Sequence, residues 1–302
     1  AGAYSFSEWY IEKHASRSLV LCIDSVSPSI VEPNSDKPLD TDRRFGGIAR
    51  LYGEQGLQKF QSASVCVIGI GGVGSWAAEA LARSAVGKLT LIDLDHVAES
   101  NMNRQLPALE ANLGRAKIGV MSERIRQINP GCNVLQIDDF LTLDNLHDYI
   151  RGDMQLVLDC IDSYRVKAAL IHHCRELGIE LIVMGGAGGQ KDPANIRCSD
   201  LSRTEQDPLL AKTRRLLRQE YGFPRDPRRK FNVPAVWSPE PVAQASQCAG
   251  QQDRSLNCAG FGSSMPVTAT FGMIGAAEAL RRIQAYRYPG GIFCQRLLNL
   301  LS

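Results

Sequence analysis

Residues 64–74 read SVCVIGIGGVG, and this stretch decides the fold. Residues 64–70 form a short, mostly apolar run rich in Val and Ile, the signature of a buried strand. Glycines at 69, 71, 72 and 74 then break it, and residues 75–86 read as an Ala-rich helix. Strand, glycine turn and helix make a phosphate-binding βα unit. Glycine permits positive φ and lets backbone come close to a phosphate, and the free N–H groups of the helix start favour an anion. Gly69, Gly71, Gly72 and Gly74 are therefore the first candidate nucleotide-binding residues. A tight βα turn that binds nothing is the competing reading.

Outward from this unit the βα rhythm continues. Residues 89–94 (LTLIDL) are a second strand, and Asp93 stands at its end, nineteen residues after Gly74. An acidic residue there is placed to hydrogen-bond a ribose, with Asp95 as its rival on the same side of the chain. Residues 133–137, 156–160 and 180–184 read as further strands, and 195–200 as an added one. Residues 115–128, 141–150 and 164–177 read as helices. Six strand signals separated by helices predict an α/β, Rossmann-like fold, a mostly parallel sheet covered by helices on both faces. Residues 43–61 read as a lead-in helix, 208–221 as another, 232–263 as loops over the site, and 264–288 as a long packing helix. The expected organisation is a flexible extension over 1–42, a nucleotide-binding core over 43–190, a substrate-binding part with the C-terminal helix over 191–288, and a tail over 289–302.

Composition narrows the function classes. The 302 residues are 44% hydrophobic and carry a formal charge of +2, so a real core is expected and any polyanion-binding surface must be local. The nine cysteines are odd in number and include no CxxC, against a disulfide framework or a paired-thiolate zinc site. Cys66, Cys160 and Cys174 lie in apolar runs and read as core, whereas Cys248 and Cys258 could each be a reactive thiol. A reducing compartment fits best, with a cytoplasmic location expected and an organellar one as the alternative. No apolar run is long enough for a membrane span. The chain opens on Ala1 without Met, so the native start is expected upstream.

Polar residues cluster after the predicted strand ends, where ligands of open α/β sheets bind. Asn101, Asn103, Arg104 and Gln105 follow the second strand, and Arg104 suits bidentate contact with phosphate. Lys117 sits in the first turn of a helix, where a cation opposes the dipole; a phosphate contact would explain it, and so would a solvated surface position. Asp162, after the 156–160 strand, could hold Mg²⁺ between itself and phosphates or could cap the helix that follows. Arg43, Arg44 and Arg50 are candidate phosphate reachers. Residues 185–189 place four glycines in five positions, predicting close backbone packing or a substrate surface. Between Lys212 and Lys230 lie eight basic residues, Lys212, Arg214, Arg215, Arg218, Arg225, Arg228, Arg229 and Lys230, opposed only by Glu220 and Asp226. This is the strongest nucleic-acid signal in the chain. Tyr221, Phe223, Phe231 and Trp237 are interspersed and could stack on loop bases; a solvated helix and loop is the bland alternative. A dehydrogenase could use the same glycine turn, but there is no evident hydride-transfer acid–base pair, and Arg104, Lys117 and Asp162 suit a triphosphate with Mg²⁺ better.

GIGGVGSWAAEAL (69–81), LIDLDHV (91–97), NMNRQ (101–105), GRAK (114–117) and LDCIDS (158–163) occur in order, and on them the chain resembles the adenylating domain of the ubiquitin-activating, ThiF and MoeB superfamily. RRFGGIARLYGE (43–54), ERIRQINP (123–130), KAALI (167–171), GGAGGQKDP (185–193), QDPL (206–209) and PVTATFG (266–272) are similar to its subgroup that dehydrates threonylcarbamoyladenosine in tRNA. That resemblance implies an ATP- and Mg²⁺-dependent ligase-like adenylation of the threonyl carboxylate at position 37 of tRNA, followed by ring closure with loss of AMP. It implies that Asp93 holds the ATP ribose, that Asn101, Arg104 and Lys117 contact phosphates or neutralise developing charge, and that Asp162 positions Mg²⁺. It further implies a homodimer and a cysteine-desulfurase sulfur-transfer partner. Activation of a ubiquitin-like or sulfur-carrier protein's C-terminal carboxylate is the alternative. The two CxxC pairs frequent in sulfur-carrier activators are missing, and Gly47 stands where their N-terminal arginine would follow RFG, leaving Arg44 or Arg50 to substitute.

Overall fold

The computed structural model describes residues 40–242 and 261–286. Most of the expected extension, Cys248, Cys258 and the tail fall outside the described residues. Seven strands form one sheet in the order β3-β2-β1-β4-β5-β7-β6. These are β1 (Ser64–Ile68), β2 (Lys88–Ile92), β3 (Asn133–Ile137), β4 (Leu156–Asp159), β5 (Glu180–Met184), β6 (Arg197–Asp200) and β7 (Pro234–Trp237). All neighbours pair in parallel except β6, which runs antiparallel to β7. The helices are α1 (Thr41–Tyr52), α2 (Glu54–Ser62), α3 (Gly74–Arg83), α4 (Lys117–Ile128), α5 (Leu146–Tyr149), α6 (Tyr164–Leu177), α7 (Pro208–Glu220) and α8 (Met265–Ala285).

Alternation along β1 explains its unbroken apolar sequence. Val65 and Val67 pack with Ala77 and Leu81 of α3, Met121 of α4 and Phe271 of α8. Cys66 and Ile68 face the other way, toward Ala168 and Ile171 of α6 and Leu210 and Leu217 of α7. A parallel strand covered on both faces has no solvent side to make polar. At the sheet margin β3 lacks one such cover, and Leu135 is 47% exposed.

Three sequence expectations are corrected. The lead-in segment is two helices, broken at Gly53, whose φ of 77° lies in the left-handed region and ends α1. Helix α1 also starts inside the segment read as an extension, where the Asp40 side chain accepts from the Arg43 N–H and caps it. The loop assigned to 232–263 contains β7, hydrogen-bonded between β5 and β6. Its four residues, PAVW, are all buried, too short a run to show a period, and proline at its start masks the strand signal.

The β1–α3 turn leaves no room for side chains. Gly69 has φ 85°, and a Cβ there would meet the Cys160 carbonyl at 3.1 Å. A Cβ on Gly74 would fall 1.9 Å from the Gly69 carbonyl oxygen, a backbone atom with no freedom to yield. Gly74→Ala is expected to cost about 3 kcal/mol or more in urea unfolding, the upper range of overpacking, and to remove nucleotide binding with it. Wild-type stability for that variant would mean the turn can open.

Candidate active site

The order of strands reverses direction between β1 and β4, and the crevice outside their carboxyl ends is where an open α/β sheet takes its ligand. A cleft of about 920 Å³, counted out to its mouth, opens there. Gly71, Gly72 and Val73 form one wall with Arg104; Cys160, Ile161 and Asp162 form the floor; Gly185–Gly188 and Asp207–Leu209 form the far wall. Among the described residues, the N–H groups of Gly71, Gly72 and Val73 meet no hydrogen-bond acceptor, and they precede α3 directly. Orphan amides at a helix start are an anion site built from backbone alone.

Asp93 follows β2 and is 7% exposed. Its carboxylate accepts from the Ile70 N–H at 2.5 Å and the Asp95 N–H at 2.8 Å, bracing the glycine turn against the strand end. Burial pushes its carboxyl above the usual aspartate range, opposed by the charge of Lys117. Asp95, the rival, is more open and accepts from Lys117 Nζ at 2.7 Å. Lys117 is the first residue of α4 and only 3% exposed, so it is no solubilising surface lysine. Asp95 supplies the countercharge that makes a cation tolerable at that helix start.

Asn101 sits in a 3₁₀ turn, with its side-chain oxygen accepting from the Ala98 N–H at 3.1 Å. Arg104 is half-buried and donates to the Ser100 carbonyl at 2.8 Å and to Asn103 Oδ1 at 2.9 Å. Trp76 of α3 donates its indole N–H to the Arg104 carbonyl at 3.0 Å and pins the arginine's backbone beside the glycine turn. Sequence reading passed over Trp76, because an aromatic inside an Ala-rich helix looks like core.

Beneath the floor lies an ion pair with no exposure at all. Asp159 ends β4, and Lys167 of α6 reaches it at 2.8 Å; both side chains are 0% exposed. Burial pushes Asp159 up and Lys167 opposes the shift. The other Asp159 oxygen has no hydrogen-bond partner among the described residues. Asp207, from the QDPL motif, is 2% exposed. It caps α7 by accepting from the Leu210 N–H and holds the far wall by accepting from the Gly186 N–H, each at 2.9 Å. A Cβ on Gly185 would lie 2.1 Å from its carboxylate, so glycine is required where Asp207 meets that wall. Gln206 just before it has φ 55°, a strained conformation for a residue with a Cβ.

Asp162 lines the cleft and makes no hydrogen bond to a described residue; Ser163, not Asp162, occupies the cap position of α6. Among the described residues no three His, Cys, Asp or Glu side chains converge on a metal cage. One free carboxylate facing an anion-binding wall fits Mg²⁺, which keeps several waters and takes phosphate oxygens as ligands. Cys160 is pushed up to about 12 by burial, so its thiol stays protonated at neutral pH and is a poor nucleophile.

The remaining candidates lie elsewhere. Arg44 donates to the carbonyls of Gln127 and Ile128, closing the end of α4. Neither it nor Arg43 nor Arg50 lines the cleft. In the basic segment, Arg214 turns inward to Thr204 and Arg218 lies over the Phe231 ring, whereas the other six cations are exposed. The expected base-stacking aromatics are corrected: Phe223, Phe231 and Trp237 are 2%, 3% and 5% exposed and belong to the core, while Tyr221 packs on His172. Aromatics spaced among cations fit an RNA surface and an amphipathic helix–loop equally well in sequence, and only packing separates the two.

The geometry defines an α/β protein of the open-sheet, nucleotide-binding type, in which unpaired backbone amides at a helix start share a cleft with an arginine and a carboxylate that meets no described partner. The ThiF family model matches residues 46–300. The tRNA threonylcarbamoyladenosine dehydratase of Escherichia coli is 50% identical over 252 residues, covering 80% of this chain and 94% of that protein. Its counterpart in Haemophilus influenzae is 48% identical over 244 residues, with the same coverage. The crystal structure of the E. coli enzyme in complex with ATP superposes with a TM-score of 0.74 at 49% identity, covering 81% of this chain and 95% of that one. An H. influenzae molybdopterin-synthase adenylyltransferase is 33% identical over only 51% of this chain. The chain belongs to the ThiF family, in its branch of tRNA threonylcarbamoyladenosine dehydratases.

Proposed function

We propose that this chain uses ATP to dehydrate the threonylcarbamoyl group on adenosine 37 of tRNA, closing it into a ring. The observation that carries this reading is the convergence of orphan Gly71–Val73 amides, Arg104 and Asp162 on one cleft. Relatives covering most of the chain, one of them crystallised with ATP, support it.

A carboxylate is a poor electrophile because oxide is a poor leaving group, and ATP supplies AMP as a better one through an acyl-adenylate. The backbone amides and Arg104 hold phosphate oxygens and offset charge that grows at phosphorus. Lys117 adds a second cation, Asp93 takes the ribose, and Asn101 orients the turn carrying Arg104. Asp162 would hold Mg²⁺, which supplies further charge neutralisation. The glycine wall lets substrate lie against backbone. Leu209, Val242 and Phe261 give the cleft an apolar lining that keeps water from a reactive mixed anhydride. Ring closure joins two ends of one substituent, so proximity replaces an external nucleophile. The protein works as a homodimer in the cytoplasm and accepts a cysteine-desulfurase sulfur-transfer partner.

The test is mass analysis of tRNA nucleosides after incubation with the protein, ATP and Mg²⁺. The expected product is the threonylcarbamoyl nucleoside lighter by one water, with pyrophosphate released only when modified tRNA is present. Pyrophosphate exchange driven by a sulfur-carrier protein and not by tRNA would transfer the chain to the protein-activating branch.

A further inference from the structure

Exposed cations of the basic segment are not scattered. Helix α7 begins in the cleft, where Asp207, Pro208 and Leu209 form part of its wall. One turn on, Lys212 is exposed, and Arg215 follows at a spacing of three on the same face. The helix runs about 20 Å over its length. Past its end, the exposed Arg225, Arg228, Arg229 and Lys230 continue the charge; among the described residues only Asp226 pairs into it, at 3.3 Å from Arg228. The near end of this line carries an aromatic. Tyr164 stands two residues beyond Asp162 and is half-buried; Lys212 Nζ lies 5.8 Å from its ring centre and the Arg165 guanidinium 5.7 Å from it. The ring is thus flanked by two cations from different helices, two residues along the chain from the cleft-lining Asp162.

We propose that this strip, from Tyr164, Arg165 and Lys212 along α7 to Arg225–Lys230, is the track for the substrate tRNA, with Tyr164 stacking a base next to the reacting nucleotide and the cations following the phosphates. The proposal rests on the function given above and adds the surface that presents tRNA to the cleft. A nucleotide bound in the cleft must have its neighbours leave along an adjoining surface. This one combines cations with a ring close in sequence to the cleft wall, the pairing used for loop bases and backbone. The buried rings of Phe223 and Phe231 instead carry the Arg175 and Arg218 guanidiniums.

The test compares Lys212→Glu/Arg215→Glu, Arg228→Glu/Arg229→Glu, Tyr164→Ala and Tyr164→Phe with wild type, after thermal melts establish folding. Binding of an unmodified tRNA transcript is measured over a salt series, and binding of a fluorescent ATP analogue in parallel. Each charge-reversed pair is expected to weaken tRNA binding more than tenfold at physiological salt and to flatten the salt slope by roughly one for each phosphate no longer neutralised. ATP binding is expected to stay at the wild-type level. Tyr164→Ala is expected to weaken tRNA binding roughly five- to hundredfold, with Tyr164→Phe at the wild-type level. Unchanged tRNA affinity and salt slope in both charge-reversed pairs would overturn the track. Failure of wild type to turn over modified tRNA would instead count against the proposed reaction, so the two results are separable.

Discussion

Lys167→Met is expected to destabilise the protein by about 3–5 kcal/mol, the range for removing one partner of a buried ion pair. The lysine and Asp159 are both fully buried at 2.8 Å, so no water can replace the lost cation. Asp159 already has one oxygen without a hydrogen-bond partner among the described residues, and it would keep only the weak contact from the Ile161 N–H at 3.2 Å. Burial already raises this carboxyl. Without Lys167 only the hydrogen bond from the Ile161 N–H opposes that rise. A carboxyl whose folded value exceeds its unfolded value of about 3.9 stabilises the fold at low pH, and that contribution is lost as pH rises toward the folded value. The deficit of the variant should therefore be smaller at pH 5 than at pH 8. Adding Asp159→Asn removes the orphaned charge and is expected to recover much of the loss. Urea unfolding of the single and double variants at both pH values measures it; an additive double variant would show that the two side chains do not act as a pair.

Arg104→Ala is expected to lower turnover by about 10²–10³-fold, the scale seen when one fixed donor to developing charge is removed, with stability little changed. The guanidinium is held by two acceptors of its own turn, Ser100 and Asn103, and its backbone by Trp76, so the side chain is aimed without supporting the core. Arg104→Lys should recover only part of the activity, because an ammonium cannot span two phosphate oxygens. Single-turnover pyrophosphate release read beside thermal melting checks this. Wild-type turnover in Arg104→Ala would overturn the phosphate contact proposed for the arginine.

The parallel sheet was legible because its central strands, β1, β4 and β5, are covered on both faces and read as nearly unbroken apolar runs. Residues 64–74 also carried the turn, since glycines whose added Cβ would strike backbone cannot be replaced and so stand in the sequence. The position of β7 was hidden: four buried residues starting with proline gain their strand character only from β5 and β6 on either side. Roles for Asp159, Lys167 and Asp207 were hidden for a similar reason. Each looks like an ordinary helix or strand-end charge until the chain closes water out around it.

Sequence alone marked a strand–glycine turn–helix unit and placed Asp93, Asn101, Arg104 and Asp162 after strand ends and Lys117 at a helix start, because local periodicity and turn chemistry need no partner. Tertiary structure decided which of them share a cleft. It set Arg104 and Asp162 on its lining, Lys117 on Asp95 and Arg44 on the end of α4. It also sent six of the basic segment's eight cations outward and most of its aromatics inward. Those outcomes depend on contacts between residues far apart in the chain, where desolvation and packing, not spacing, choose the neighbour.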